Sequence, residues 1–147
     1  MNNCFLIFPN QLFQIKHIEK YIKYDIFIIE DTLFFSDKER IVNFNKLKLV
    51  LHSASMKYYH DYLTKNKCNV QYINFNKLNN QYKFLKNYTK ITTFHPEDHL
   101  LKKRLDNFVL KHKIKIIYIE NPLFLLSQDD LDEYIEHKGK TKTFYHK

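Results

Sequence analysis

Short apolar runs alternate with longer segments of helical period along most of the chain. The five strand candidates are residues 4–8, 25–29, 69–73, 89–94 and 113–119. Runs of this length without polar alternation are typical of strands buried on both faces. Such strands, separated by helices, predict right-handed βαβ crossovers and a parallel sheet. We therefore expect a doubly wound α/β domain with helices on both faces of a five-stranded sheet.

The longest helical segment is expected from Asn45 onward. Its apolar residues recur at intervals of three or four, which places them on one helix face. They are Leu47, Leu51, Ala54, Tyr58 and Tyr62. This spacing predicts that the face packs against the sheet. Its small residues would also let a flat ligand approach the helix closely.

Three further helices are predicted on weaker patterns. An amphipathic stretch covers residues 12–22, a short helix is expected around residues 78–85, and another spans residues 98–112. A last helix is expected after Ser127, which forms an N-cap pair with Asp130, and Gly139 can end it.

The composition excludes two classes of phosphate site. The chain has 147 residues, enough for one domain with a real core, but only a single glycine. A P-loop needs glycines so that backbone N–H groups can wrap phosphate, and a dinucleotide fingerprint needs them for close approach. Neither motif can exist here.

The net charge leaves two interpretations open. The chain carries a formal charge of +8, and its lysines are scattered except in residues 138–147. Scattered lysines are typical of solvated helix faces, whereas the basic tail together with the tyrosines would suit a small nucleic-acid-binding module.

No signal peptide, membrane span or metal-ligand spacing is visible in the sequence. Cys4 and Cys68 are isolated thiols without zinc or iron–sulfur spacing. No apolar run approaches the ~18 residues of a membrane span. We expect an intracellular protein, cytoplasmic or at sites of DNA, without a bound metal.

Polar side chains follow the first two predicted strands directly. Asn10 and Gln11 come after the first strand, and Glu30 and Asp31 close the second. Ligands of open α/β sheets bind at the carboxyl ends of the strands, and amides can hydrogen-bond the edge of a heterocycle. The alternative for the two amides is that Asn10 caps the following helix and Gln11 is solvated. The alternative for the two carboxylates is that they are solvated at the strand end. Adjacent residues on a strand point to opposite faces, so the two carboxylates would not share a proton.

Several phrases of the sequence, taken together, resemble the amino-terminal domain of photolyase-related proteins. The resemblance is to the iron–sulfur bacterial cryptochrome and prokaryotic (6-4) photolyase branch of the cryptochrome/photolyase family. The phrases lie in residues 8–13, 28–31 with 33–35, 45–52 with 54–59, 120–122, 124–127 and 144–146. They follow the family's order and span nearly the whole chain.

This resemblance implies a Rossmann-like sheet of strand order 3-2-1-4-5 and a pocket for an antenna chromophore. In characterised branches that chromophore is 6,7-dimethyl-8-ribityllumazine or a similar molecule. By position, the resemblance implies that Asn10, Gln11 and Leu12 contact the ring or its ribityl chain. Glu30 and Phe34 would line the second loop, and His52 and Met56 would face the pocket from the long helix.

The resemblance also implies what this chain lacks. Residues 1–137 correspond to the antenna-type domain, and the basic tail 138–147 falls where the family's helical FAD domain would begin. FAD and an iron–sulfur cluster are not expected here, since Cys4 and Cys68 cannot supply four cluster ligands. We expect no catalytic residues and no flavin photochemistry by this chain alone.

The sequence thus predicts a stand-alone or split photolyase-related domain, serving DNA repair or light sensing. It would bind an antenna chromophore or dock onto a separately encoded FAD-binding helical chain, and contact DNA only weakly or indirectly. The alternatives are a structural or interaction remnant that has lost its ligand, and the basic nucleic-acid-binding module.

Overall fold

The sheet has five parallel strands in the order β3-β2-β1-β4-β5. A computed structural model describes residues 2–77, 82–125 and 128–138. The strands are β1 (Asn3–Ile7), β2 (Asp25–Ile29), β3 (Val70–Ile73), β4 (Lys90–Phe94) and β5 (Lys115–Ile119). The predicted α/β architecture and strand order are confirmed, and each predicted strand lies within two residues of an observed one.

The central strand β1 is buried because both of its edges and both of its faces are covered. Leu6 lies opposite Phe27 of β2 and opposite Thr93 of β4. Cys4 to Ile7 have no exposed surface, whereas residues of the edge strands β3 and β5 are partly exposed. The continuous apolar run that predicted this strand therefore reflects burial on two faces.

The described residues form three α-helices, and side-chain caps fix the starts of two of them. The helices are α1 (Lys46–Lys65), α2 (His99–His112) and α3 (Gln128–Lys138). Asn45 accepts a hydrogen bond from the Leu47 N–H at the start of α1. Asp98 accepts from the Leu100 and Leu101 N–H groups at the start of α2. Both caps satisfy donors that a helix leaves unpaired.

The predicted helix over residues 12–22 is replaced by two 3₁₀ turns, Ile15–His17 and Glu19–Tyr21. Their hydrogen bonds run from residue i+3 to i, for example from the Ile18 N–H to the Ile15 carbonyl at 2.9 Å. A turn closed by the Gln11 N–H and the Phe8 carbonyl at 2.9 Å precedes this segment. The apolar spacing nevertheless buries Ile18 completely.

Two other predictions fall partly outside the described residues. Residues 78–81 of the expected short helix are not described, and a 3₁₀ turn at Lys83–Asn87 follows them. The last helix is present as α3, whereas its proposed cap Ser127 and its proposed end Gly139 lie outside the described residues.

The buried face of α1 is not the predicted one. Met56, Tyr59 and Leu63 pack against the sheet, whereas Leu47 and Tyr58 are 79% and 77% exposed. Both sets have helical spacing, so the pattern alone did not determine the rotation of the helix. Polar contacts from α1 to the strand ends select the Met56 face, as described below.

Two separate cores lie on opposite sides of the sheet because successive side chains of a strand alternate in direction. The α1 core combines side chains of β1 and β2 with those of α1: Phe5, Ile7, Ile26, Ile28, Met56 and Leu63. The α2 core contains side chains from β1, β2 and the residues that follow them, from the Lys83–Asn87 turn with its preceding residue, and from α2. They include Leu6, Phe8, Phe27, Ile29, Tyr82, Leu85, Leu101 and Leu105.

A buried ionic network joins α2 to the end of β2. Asp31, with no exposed surface, accepts hydrogen bonds from the Leu33 N–H at 2.9 Å and from the Tyr82 hydroxyl. Arg104 of α2 donates a hydrogen bond to Asp31 at 3.3 Å. Both of its Nη atoms also donate to the Asp37 carboxylate, at 3.0 and 3.1 Å. Arg104 thereby fixes the loop after β2 against the α2 face.

The network shifts the pKa values of its two aspartates in opposite directions. Burial raises the pKa of Asp31 and outweighs its hydrogen bonds and the charge of Arg104. At Asp37 burial acts in the same sense, but hydrogen bonds from Arg104 and Thr32 lower the pKa to about 2. Asp37 is therefore the carboxylate that pairs most firmly with Arg104.

Three residues other than glycine adopt positive φ angles within the described ranges. They are Lys67 (62°), Tyr82 (61°) and Lys113 (56°). Lys67 follows the end of α1, and Lys113 forms the C-cap of α2. These are positions where glycine is usually found, because a side chain disfavours the left-handed conformation.

We predict that replacing Arg104 with glutamine lowers the free energy of unfolding by about 3 kcal/mol, because it leaves buried carboxylates without their cation. Urea denaturation measures this loss. The control is Lys102→Gln on the same helix, which removes a surface pair with Asp106 and should cost less than about 1 kcal/mol. Equal losses for the two variants would contradict a special role for the buried network.

Candidate functional site

The loop after β1 is anchored by Gln11. Its side chain has no exposed surface and bridges two strand ends. The amide nitrogen donates to the Phe94 carbonyl at 3.2 Å, and the amide oxygen accepts from the Phe8 N–H at 3.4 Å. The predicted ligand contact at Gln11 therefore competes with bonds that hold β1 and β4 together. Its evident role is to position the loop.

Asn10 differs from Gln11 in having an unsatisfied acceptor. Its Oδ1 is buried and has no hydrogen-bond partner among the described residues. No helix begins at this residue, since the first 3₁₀ turn starts at Ile15 and has Gln14 as its N-cap residue. The capping alternative for Asn10 is therefore wrong. A buried acceptor without a partner is costly, which makes Asn10 the first candidate for ligand contact.

Glu30 fastens the end of β2 to α1. The side chain is 1% exposed, and its Oε1 accepts hydrogen bonds from the Ser53 hydroxyl at 2.8 Å and the Tyr72 hydroxyl at 2.5 Å. Its Oε2 accepts from the Phe75 N–H at 3.2 Å. Burial first, and then Glu30, raise the pKa of Tyr72, so this phenol remains protonated. The alternative of a solvated carboxylate is wrong for Glu30.

His52 projects from α1 towards the aromatic loop after β2. Its ring centroid lies 6.3 Å from that of Phe34 and 6.2 Å from that of Phe35. Burial, and then the charge of Lys48, lower the pKa of His52, so the imidazole is neutral at pH 7. Its Nε2 is buried and has no hydrogen-bond partner among the described residues. His52 is thus the second candidate for ligand contact.

A shallow cavity of about 450 Å³ lies between the loop after β1 and α1. Leu12 forms one side, and Ala54, Ser55, Tyr58 and Tyr59 form the other. Leu12 is the predicted site residue that lines this cavity.

Two tyrosines hold the wall of the cavity in place. The Tyr59 hydroxyl donates to the Phe13 carbonyl at 2.6 Å, and the Tyr62 hydroxyl accepts from the Ile15 N–H at 3.4 Å. These bonds hold the loop after β1 against α1. The cavity therefore has a built wall, although it is open on its outer side.

The structure brings the predicted elements together but divides the predicted residues by role. Asn10 and His52 present unsatisfied polar atoms, and Leu12 lines the cavity. Gln11 and Glu30 are structural anchors, while Phe34 contacts His52. Met56 has no exposed surface and belongs to the core.

Ser55 and Tyr59 line the cavity but were not among the predicted site residues. They follow His52 by three and seven positions, so they share its side of the helix. Extending the helical spacing by one or two turns from His52 would have found them.

Two observations concern metal and covalent chemistry at the described cysteines and histidines. Within the described ranges, no group of three or more His, Cys, Asp or Glu side chains is placed to hold a metal ion. Burial raises the pKa of Cys4 to about 12 and also raises that of Cys68. Thiols with such raised pKa values are poor nucleophiles at neutral pH. No helix in the described part of the chain is long and apolar enough to cross a bilayer.

The fold and the site define a Rossmann-like α/β domain with a ligand-sized recess beside its first strand. The family model for deoxyribodipyrimidine photo-lyase-related proteins matches residues 5–147. The chain therefore belongs to the photolyase-related family.

A viral protein resembles this chain over nearly its whole length. It is the uncharacterized protein R852 of Acanthamoeba polyphaga mimivirus, 41% identical over 157 residues. The matched region covers 99% of this chain and 78% of the viral protein. The similarity supports a shared fold.

We predict that Tyr59→Phe loosens the loop after β1 while leaving the core filled. Losing the hydroxyl leaves the Phe13 carbonyl unpaired and should lower the free energy of unfolding by about 1 kcal/mol. Hydrogen exchange of residues 10–15 should become faster than in the unmodified chain. The control is Tyr58→Phe, whose side chain is 77% exposed; faster exchange in that variant too would contradict the anchoring role of Tyr59.

Proposed function

We propose that this photolyase-related domain binds a flat heterocyclic chromophore of the ribityllumazine or flavin class. The ligand would lie between the loop after β1 and α1, over the recess lined by Leu12 and Ser55. The observation that carries the proposal is the pair of buried, unsatisfied polar atoms, Asn10 Oδ1 and His52 Nε2, on the two elements that border this recess.

The chemistry of these two atoms suits such a ligand. The Asn10 oxygen can accept a hydrogen bond from a ring N–H or from a ribityl hydroxyl. A neutral His52 can donate to a ring carbonyl or accept from a hydroxyl, depending on its tautomer. Ala54 and Ser55 have short side chains, so a planar ring can approach the backbone of α1 closely. A recess of this volume lies within the usual range for small-molecule sites.

With such a ligand, the domain would serve light harvesting or light sensing. A separate FAD-binding chain would perform any photochemistry. The match of residues 5–147 to photolyase-related proteins supports a role connected with light. The chain itself would supply binding and orientation of the ring and exclusion of water from one of its faces.

We predict that 6,7-dimethyl-8-ribityllumazine, riboflavin or FMN raises the melting temperature and shows altered absorbance when bound. Saturation at 100 times the dissociation constant should stabilise the fold by about 2.7 kcal/mol. Asn10→Ala and His52→Ala should each weaken binding about tenfold, since each removes one buried hydrogen bond.

The matched controls are Asn43→Ala, which is exposed, and His60→Ala, two turns further along α1. Neither should change the affinity. If none of the three compounds changes its absorbance or the melting temperature of the protein, the result would contradict chromophore binding. It would favour the alternative of a structural remnant that has lost its ligand.

Docking of a partner is a second candidate function, favoured by an exposed apolar stripe along α1. The stripe consists of Leu47, Val50, Leu51 and Tyr58, which are 79%, 66%, 65% and 77% exposed. It continues into the recess, because Tyr58 belongs to both. We propose a separately encoded FAD-binding helical chain as its occupant, since a chain seated there would also cover the open side of the recess.

We predict that this chain and a purified FAD-binding helical chain of the family elute together in size-exclusion chromatography with flavin absorbance. The double variant Leu47→Lys/Leu51→Lys should abolish co-elution because it places two charges in the contact. Leu110→Lys, on the 80% exposed Leu110 of α2, is the control. Co-elution that survives the double variant, or a homodimer that the double variant dissociates, would count against this partner.

A further inference from the structure

A second recess, of about 460 Å³, lies on the α2 side of the sheet, away from the proposed chromophore site. One wall is α2, and the other is the 3₁₀ turn at Lys83–Asn87. Its floor includes Tyr82 and Phe108, which are 1% and 8% exposed and belong to the α2 core. The recess is therefore a groove between α2 and the Lys83–Asn87 turn, on one face of the sheet.

The walls of this groove are strongly basic. Lys103 and Lys111 line it from α2, and Lys86 faces them from the turn. No carboxylate pairs with these three lysines among the described residues. Glu39 is the one acidic residue in the described lining, and Arg104 already binds it at 2.8 Å. The uncompensated charge in the groove is thus positive.

Lys86 of the turn and Lys111 of α2 both exert their charge on His112, a residue of the groove lining. His112 lines the groove, and burial followed by the charges of Lys86 and Lys111 lowers its pKa. One of these lysines belongs to the turn and the other to α2, so their fields overlap at this end of the groove.

The spacing along α2 is regular. Lys103, Asn107 and Lys111 follow one another at intervals of four residues, so one hydrogen-bonding side chain recurs about every 6 Å along the wall. A row of this kind matches a ligand that repeats its negative charge along a line better than it matches a single phosphate. A groove with protein on both sides admits one strand more readily than a duplex.

We propose that this groove binds the phosphodiester backbone of a single-stranded nucleic acid. Lys103 and Lys111, about 12 Å apart along α2, would contact alternate phosphates, and the Asn107 amide would donate to the phosphate between them. Lys86 would contact the same backbone from the facing turn. This assignment is independent of the chromophore site, and it differs from nucleic-acid binding by the basic tail 138–147. Since the contacts are to the backbone, binding would be insensitive to base sequence.

The test is fluorescence anisotropy of a labelled single-stranded 15-nucleotide DNA, titrated with the full chain between 50 and 200 mM NaCl. The triple variant Lys86→Gln/Lys103→Gln/Lys111→Gln should bind at least tenfold more weakly at 50 mM NaCl. The slope of log affinity against log salt should become shallower by about 2, because each lost phosphate contact on a single strand removes about 0.7. Circular dichroism should show an unchanged fold, since the three changes are at the surface.

Two further triple variants remove the same charge elsewhere. Lys16→Gln/Lys20→Gln/Lys57→Gln alters exposed lysines on the α1 side of the sheet, and Lys138→Gln/Lys140→Gln/Lys142→Gln alters the tail. Both should retain the affinity within threefold. The proposal is overturned if the groove variant binds like the unmodified chain, if the α1-side variant loses as much affinity, or if the tail variant accounts for the loss.

Discussion

The two carboxylates at the end of β2 connect the sheet to the helical layers on both of its faces. Glu30 reaches the α1 layer through Ser53, and Asp31 reaches the α2 layer through Arg104. Side chains of consecutive residues leave a strand in opposite directions, so one dipeptide can join both layers to the same strand end. Each carboxylate is almost fully buried, so its partners cannot be replaced by water without cost. Ser53 and Arg104 belong to α1 and α2, the helices that border the two proposed sites, so each site has one wall tied to this strand end.

Much of the fold could be predicted because strands buried on both faces leave a continuous apolar signal. The strand order came from the resemblance to photolyase-related proteins, since spacing carries no information about which strands are neighbours. The rotation of α1 could not be predicted, because two apolar stripes share the helical period. The choice between them depends on bonds to residues distant in sequence, such as Tyr59 to Phe13.

The elements proposed for the site lie beside one another in the structure, but the roles of their residues could not be separated from sequence. Polar residues after a strand were recognised as candidates, yet sequence could not separate Asn10, whose oxygen is unsatisfied, from Gln11, whose amide bridges two strands. That distinction depends on the position of the Phe94 carbonyl, which belongs to another strand. The basic groove was missed for a similar reason, because Lys86 and Lys111 lie far apart in sequence and meet only after folding.

The left-handed residues Lys67, Tyr82 and Lys113 have a consequence for how this sequence can evolve. A lysine or tyrosine in that conformation holds backbone strain of roughly 1 kcal/mol, which glycine would relieve. The chain has a single glycine, and it holds this strain at three bends within its described part. Glycine at positions 67 and 113 would relieve this strain without removing a core side chain, whereas glycine at position 82 would also remove Tyr82 from the α2 core and from its bond to Asp31.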